Sequence, residues 1–331
     1  GGILAGGWFQ IGYFTGGQNG TDGLFNNLSN QVQLQQGWAY LEKPLNLECK
    51  DCDWGFRVDY VYGTDGQDTQ AFGQPTGWDT GWDNGVAYGH AIPQLYAEFG
   101  WGDLSLKLGH FFTIMGYEVI PAPDNFFYSK SVTMVRAEPF THSGALFTYE
   151  GNDWLTLYGG WTAGWDTAFT RNGGNTFLGG FTAQLFDNVA FTYTTSIGDF
   201  GFNQGAVQGS DQNGYAHSCV LVWDVTEKLH YICQSDFIDN NTFLNSGNEL
   251  IGLNQYLIYD VNDCLGLGVR YEYFDDPRQA GNDYELTLGV NYRPHANMVF
   301  RPEFRLIEGD DAFDAFFPPR GLFGIDCIVT W

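Results

Sequence analysis

The chain has 331 residues, with 14 Lys and Arg against 39 Asp and Glu, for a formal net charge of −25. Such a chain repels a nucleic-acid backbone; the charge suits a hydrated surface or a lumen that attracts cations. No run approaches the roughly 18 apolar residues of a transmembrane helix, and Gly1 reads as a processed or truncated start rather than as a signal peptide.

Alternation with period two dominates, and helical periodicity is nearly absent. The first strands are separated by the long Gly16–Asn30 stretch and then by Lys43–Asp53. Next comes a clear two-faced segment. Trp54, Phe56, Val58, Tyr60 and Tyr62 form an apolar face, and Gly55, Arg57, Asp59, Val61 and Gly63 form the other. Thr64–Gly89 is again long, Trp101–Asp103 short, and Thr113–Phe140 long. Beyond it, Gly151–Asp153, Asp187–Asn188, Asp224–Lys228, Asp260–Asp263 and Arg293–Ala296 are short. They alternate with the longer Gly164–Gly174, Gly198–Asn213, Asp239–Gly247, Asp275–Gly281 and Gly309–Arg320. Leu265, Leu267, Val269, Tyr271 and Tyr273 alternate with Cys264, Gly266, Gly268, Arg270 and Glu272. The last segment sets Phe323, Ile325, Cys327, Val329 and Trp331 against Gly324, Asp326, Ile328 and Thr330.

Seven short and eight long connections join sixteen strands of about ten residues. This predicts an all-β, transmembrane, antiparallel up-and-down barrel over residues 1–331 as one domain. Short periplasmic turns would lie at one end, with both termini, and long extracellular loops at the other. Closure pairs every backbone group without an edge, as hydrocarbon demands. Sixteen strands leave a lumen too wide for side chains to fill, so water enters. Aromatics near strand ends fit an interfacial girdle: Trp8, Tyr40, Trp54, Phe99, Trp101, Trp154, Trp223, Tyr231, Tyr259 and Trp331.

Thr113–Gly144 is the organising stretch. It carries Pro121, Pro123 and Pro139 with mixed charge, and its Ile114, Met115, Tyr117, Phe126, Phe127 and Tyr128 argue against disorder. It is expected to fold inward and narrow a pore; an ordered outer loop is the alternative.

The six cysteines suggest disulfides in an oxidising compartment. Cys49 and Cys52 form a C-x-x-C, while Cys219 and Cys233 flank a hairpin symmetrically about Thr226 and would face each other. Cys264 and Cys327 have no evident partner. A zinc site would want four converging ligands, and a redox C-x-x-C a βαβ context.

Three features together resemble the β-barrel porins of the second type, a family of outer-membrane channels. They are the run Gly109-His110-Phe111-Phe112-Thr113-Ile114-Met115-Gly116-Tyr117-Glu118, the run Asn125 to Ser131 followed by Pro139 to Gly144, and the repeated strand–turn–strand layout, as at Glu150 to Trp154. The C-terminal Trp331 also looks like an outer-membrane insertion signal. The resemblance implies a passive channel for small hydrophilic solutes, in an envelope of Gram-negative type, and supplies no catalytic residues. Strand number and resemblance together imply a homotrimer.

In that reading Arg57, Asp59, Lys107, Arg270, Glu272, Arg301, Glu303 and Arg305 face the lumen. Glu118, Asp124 and Glu138 come from the loop, so that acid on the loop and base on the wall set a transverse field. Lys130 and Arg136 would tether the loop. The charge of −25 predicts cation preference. No cofactor is expected, apart from weak calcium candidates at Asp79 and Asp83 and in the cluster Asp310, Asp311 and Asp314. The six histidines sit in no catalytic motif, and adjacent His142 and Ser143 would point to opposite faces of a strand. Two rivals remain: a secreted carbohydrate-binding β-protein, and a non-conducting structural or adhesive barrel.

Overall fold

In the computed structural model the alternating pattern becomes one closed antiparallel sheet. The structure describes residues 2–16, 25–26, 28–47, 51–71, 78–79, 81–169, 173–201, 213–240, 249–276, 282–309 and 320–331. The barrel strands are β1 (Leu4–Phe14), β2 (Val32–Lys43), β3 (Cys52–Gly63), β4 (Tyr88–Trp101), β5 (Leu104–Phe112), β6 (Thr141–Asn152), β7 (Leu155–Thr162) and β8 (Asn175–Phe186). They continue as β9 (Val189–Asp199), β10 (Asn213–Asp224), β11 (Leu229–Asn240), β12 (Glu249–Asn262), β13 (Leu265–Asp275), β14 (Asn282–His295), β15 (Met298–Gly309) and β16 (Arg320–Thr330). A two-residue arm, Asp83–Asn84, adds to β4. Each strand pairs with its sequence neighbours, and β1 closes the ring on β16, from Trp8 opposite Thr330 to Phe14 opposite Gly324.

The turns follow the expected plan. β4 and β5 meet through Gly102 and Asp103, where Gly102 takes φ +56, a left-handed turn conformation that favours glycine. The other short turns and the long connections also fall where the alternation breaks.

The pleat sorts the side chains. Phe9, Ile11, Trp54, Leu108, Phe177, Leu257, Leu288 and Phe323 form an exposed apolar outer face. Gln36, Asp59, Thr194, Ser218, Asn254, Arg270, Glu272, Glu303 and Asp326 lie inside and are buried. Two of the aromatics expected in the girdle belong inside instead. Trp8 stacks on the inward Trp38, ring centroids 4.8 Å apart, and Tyr40 lies beneath the Arg57 guanidinium at 4.5 Å. Their parity along β1 and β2 sets this, not their nearness to a strand end.

The cysteine expectation is corrected. Cys219 pairs with Ser235, and Cys233 with Leu221. The turn between β10 and β11 is centred one residue beyond Thr226, which slides the two thiols past each other by two positions. Cys52, Cys219, Cys233, Cys264 and Cys327 are all free thiols. Cys49 lies outside the described residues, as do Asp310, Asp311 and Asp314.

Apolar packing inside the barrel gathers around the long loop. One cluster joins Leu146, Leu178, Ala216, Ile238, Leu250 and Phe274, from β6, β8 and β10 to β13, with Met115, Val132 and Ala137 of the loop. Another seats Phe127 on Val220, Ile232, Tyr256 and Ile258.

Candidate functional site

The stretch from Thr113 to Phe140 leaves β5, crosses the lumen, and is tied to walls on several sides. Tyr117 N–H donates to Gln234 on β11 at 3.1 Å. On β2, Gln36 donates to the Ile120 carbonyl at 2.9 Å and accepts from Ala122 N–H at 3.0 Å. A 3-10 turn, Ala122–Asp124, follows, fixed by Asn125, whose side chain bonds both Val119 and Pro121. Tyr128 and Ser129 then give their N–H groups to the Glu303 carboxylate on β15, at 3.0 and 3.1 Å.

The loop ends in a short helix, α1 (Val132–Ala137). Ser131 caps it by accepting from Met134 N–H at 3.2 Å. Glu272 on β13 accepts from Val132 and Thr133 N–H at 2.9 and 2.6 Å. A carboxylate at the open N–H groups of a helical turn complements both their hydrogen bonds and their partial charge.

The charged residues separate into three groups. Arg270 is buried and reaches Glu118 of the loop at 2.7 Å and the Ser129 carbonyl at 2.8 Å. Arg301 forks onto Asp326 of β16, at 3.0 and 2.5 Å, and also donates to the loop carbonyls of Ala122, Asn125 and Phe127. Arg305 pairs with Glu285 of β14, and among the described residues its hydrogen bonds go to that carboxylate and not to the loop. These three arginines therefore hold structure together; their charges are compensated at contact distance and not across a gap.

The second group faces the more open wall. Arg57 bonds Glu42 at 3.0 Å and Asp59 at 2.7 Å, and Lys107 sits 4.5 Å above the Tyr96 ring. Asp124 is exposed at the tip of the 3-10 turn and feels the Arg57 charge. On the inward faces of β2, β4, β7, β8 and β9, Glu42, Glu98, Tyr158, Thr182 and Thr192 remain partly exposed.

The third group consists of tethers. Arg136 reaches Asp283 of β14 at 3.1 Å. Lys130 does not reach the wall. Its ammonium bonds the carbonyls of Val119 and Ile120, so it stitches the loop to itself.

Glu138 carries an electrostatic conflict. Gln234 donates to Glu138 and to Asp236, both at 2.5 Å, drawing two buried carboxyls to one amide. Gly116, at φ +85, makes the seat possible, because a Cβ there would fall 1.9 Å from Glu138 Oε2. Burial, then the neighbouring Asp236, push the Glu138 carboxyl well above the ordinary range. Burial would raise Glu118 too, but Arg270 and Lys130 outweigh it and hold that group below its usual value.

A carboxyl whose folded pKa is raised contributes docking stability that is complete below its unfolded value, about 4.3, and lost as pH rises through the folded one. The loop should therefore hold more tightly in mild acid, until Glu118 itself protonates. Glu138→Gln should flatten that dependence and hold the loop more firmly at neutral pH. Conductance noise recorded from about pH 4 to about pH 9 checks it; a profile unchanged by the substitution would place the titration elsewhere.

The remaining candidates are occupied. Asp79 accepts from Ala71 N–H at 2.9 Å and Ile92 N–H at 3.0 Å, and Asp83 accepts from Gln70 at 3.0 Å. Among the described residues, no three His, Cys, Asp or Glu side chains converge as metal ligands. Ser143 contacts His110 across the strands at 2.9 Å, but its hydroxyl donates to the Thr167 carbonyl at 2.7 Å. His142 binds the Gly164 carbonyl at 3.1 Å and Thr113 at 3.2 Å, fastening loop ends.

Sequence reasoning missed the glycine contacts behind the loop. Cβ atoms built at Gly268, Gly289, Gly12 and Gly252 would fall 2.3, 2.8, 2.6 and 2.5 Å from Phe126, Phe127, Tyr128 and Thr133. The only signal was glycine on the inward parity of β13 and its neighbours.

Solved structures share this fold. The trimer form of OmpT, an outer-membrane protein of Vibrio cholerae, superposes with a TM-score of 0.67 at 13% identity, covering 100% of this chain and 99% of that one. OmpF of Salmonella typhi, in complex with daunomycin, gives 0.67 at 12% identity, covering 100% and 97%. The anion-selective porin of Comamonas acidovorans gives 0.62 at 9% identity, covering 100% and 99%. No curated protein matches the chain. The family described as "Putative beta-barrel porin-2, OmpL-like" matches residues 2–323, nearly the whole barrel, and the chain belongs to this family of outer-membrane porins.

Proposed function

We propose that this porin passes small hydrophilic solutes and ions by passive diffusion, that the loop Thr113–Phe140 is its constriction, and that it prefers cations. The observation that carries the reading is the seat of the loop. Buried contacts to Glu272, Arg270, Glu303, Arg301 and Gln36 fix it to several strands of the wall. The neighbouring stretch of wall, around Glu42, Arg57, Glu98 and Lys107, keeps polar groups within reach of water. The conducting path runs along that wall, past Asp124. The net charge of −25 favours cations there. No step of this mechanism uses a catalytic residue or a cofactor. A homotrimer fits the strand number and the trimeric OmpT neighbour; native mass measurement in detergent tests it.

The selectivity test is the reversal potential of the folded barrel in a salt gradient. The wild type should favour cations. Asp124→Asn should shift the potential toward anions, and Arg57→Gln the other way. At about 0.1 M salt the Debye length is ~10 Å, so both shifts should shrink as salt rises. Clear anion preference in the wild type would sink the cation assignment.

A second reading is a plugged, non-conducting barrel, favoured by the apolar cluster that runs from Leu146 to Phe274. It predicts a folded, heat-modifiable species without conductance. The secreted carbohydrate-binding reading does not survive the outer-membrane family match.

A further inference from the structure

The loop has a back as well as a front. Its 3-10 turn stands off the wall of β14, β15 and β16 and leaves a recess of about 200 Å³. At ~30 Å³ per water, that is space for roughly six or seven water-sized groups. On the wall side it is lined by Asn291, Arg293 and Arg301, and on the loop side by the turn from Pro123 to Phe126.

Its polar groups are not equivalent. Arg301 is used up by Asp326 and three loop carbonyls. Arg293 is exposed, and among the described residues its guanidinium forms no ion pair. Asp124 lines the same recess; Lys130 and Arg57 act on its charge, but among the described residues no side chain donates a hydrogen bond to it. Asn291 is 3% exposed, and its Oδ1 is buried without a partner. A buried acceptor of this kind normally finds a donor. Phe126, Val299 and Ile328 supply an apolar floor.

We propose that this recess is a binding site for a small zwitterionic solute of the amino-acid class. The carboxylate meets Arg293, and the ammonium meets Asn291 Oδ1 and Asp124. The carbon skeleton lies against Phe126. A free cation, a free anion and an unsatisfied acceptor around one small volume match a ligand bearing both charges better than one bearing either. The site would hold a solute beside the path, and only its route of access rests on the channel reading.

The test is equilibrium binding to the folded barrel in detergent, read by calorimetry or saturation-transfer NMR, with no current involved. L-alanine is the probe; propionate and ethylamine are its two halves. L-alanine should bind at least about tenfold more tightly than either half, in line with the strength of charge-assisted hydrogen bonds. Arg293→Ala should weaken L-alanine and propionate by about tenfold while leaving ethylamine unchanged, and Arg293→Lys should restore part of the loss. Asp124→Asn should weaken L-alanine and ethylamine and spare propionate. Equal weak binding of all three probes, propionate matching L-alanine, or an indifferent Arg293→Ala variant would each overturn the proposal. A barrel that conducts but does not bind refutes the site alone; one that binds but does not conduct refutes the channel alone.

Discussion

Arg270→Ala is expected to release the loop. The substitution leaves the Glu118 carboxylate buried with its main counter-charge gone, and removes the donors to the Ser129 carbonyl and hydroxyl. Breaking a buried pair from one side costs about 3–5 kcal/mol, because the surviving charge stays desolvated. That is comparable with what the loop's other anchors can supply. The variant should unfold at lower temperature on electrophoresis of unboiled samples, and its channels should conduct more and more noisily. The converse is as informative. The double variant Glu118→Gln with Arg270→Met removes both charges and keeps most of the volume, and such replacements are often close to neutral. It should regain most of the lost stability. A single variant no less stable than the double would mean that Glu272 and Glu303 suffice to hold the loop.

The barrel was legible because its physics is local. Period-two alternation and breaks in it fix which residues face out and where chains turn, so the parity of Arg57, Arg270 and Glu303 could be assigned residue by residue. Pairing was not legible, since it depends on how far each strand is staggered against the next. Thus Arg301 and Arg305, inward as expected, find Asp326 and Glu285 on neighbouring strands instead of the loop acids. Cys219 and Cys233 miss each other by two residues for the same reason: a turn centre misplaced by one residue shifts the register by two. Lys130 reads from the sequence as a tether to the wall, yet the loop's own fold brings the Val119 and Ile120 carbonyls to it first. The recess behind the turn had no signature at all, because Asp124 is far in sequence from Asn291 and Arg293 and meets them only when the loop docks on their strand.

The glycines behind the loop should prove as demanding as the charges. Gly268 and Gly289 sit on adjacent strands, opposite Phe126 and Phe127. A Cβ at Gly268 falls closer to its ring, at 2.3 Å, than one at Gly289, at 2.8 Å. Distance alone would make Gly268 the more sensitive position. Burial reverses the order. Phe126 is only partly buried and can swing toward the recess, whereas Phe127 is 2% exposed, packed on Tyr256 and facing the Arg270 guanidinium at 5.1 Å. Gly289→Val should therefore cost more than Gly268→Val, with overpacking of a filled site typically worth about 1–3 kcal/mol. Phe127→Ala alone should cost about 3–5 kcal/mol through the cavity it opens. Combining it with Gly289→Val should recover part of that loss, because the new side chain occupies the space the ring leaves. Thermal unfolding of the four proteins measures the coupling, and conductance shows whether the loop has left the wall. Additive losses, or a Gly289→Val barrel as stable as the wild type, would show that the ring is not held in this seat. The loop would then owe its position to its ionic anchors alone.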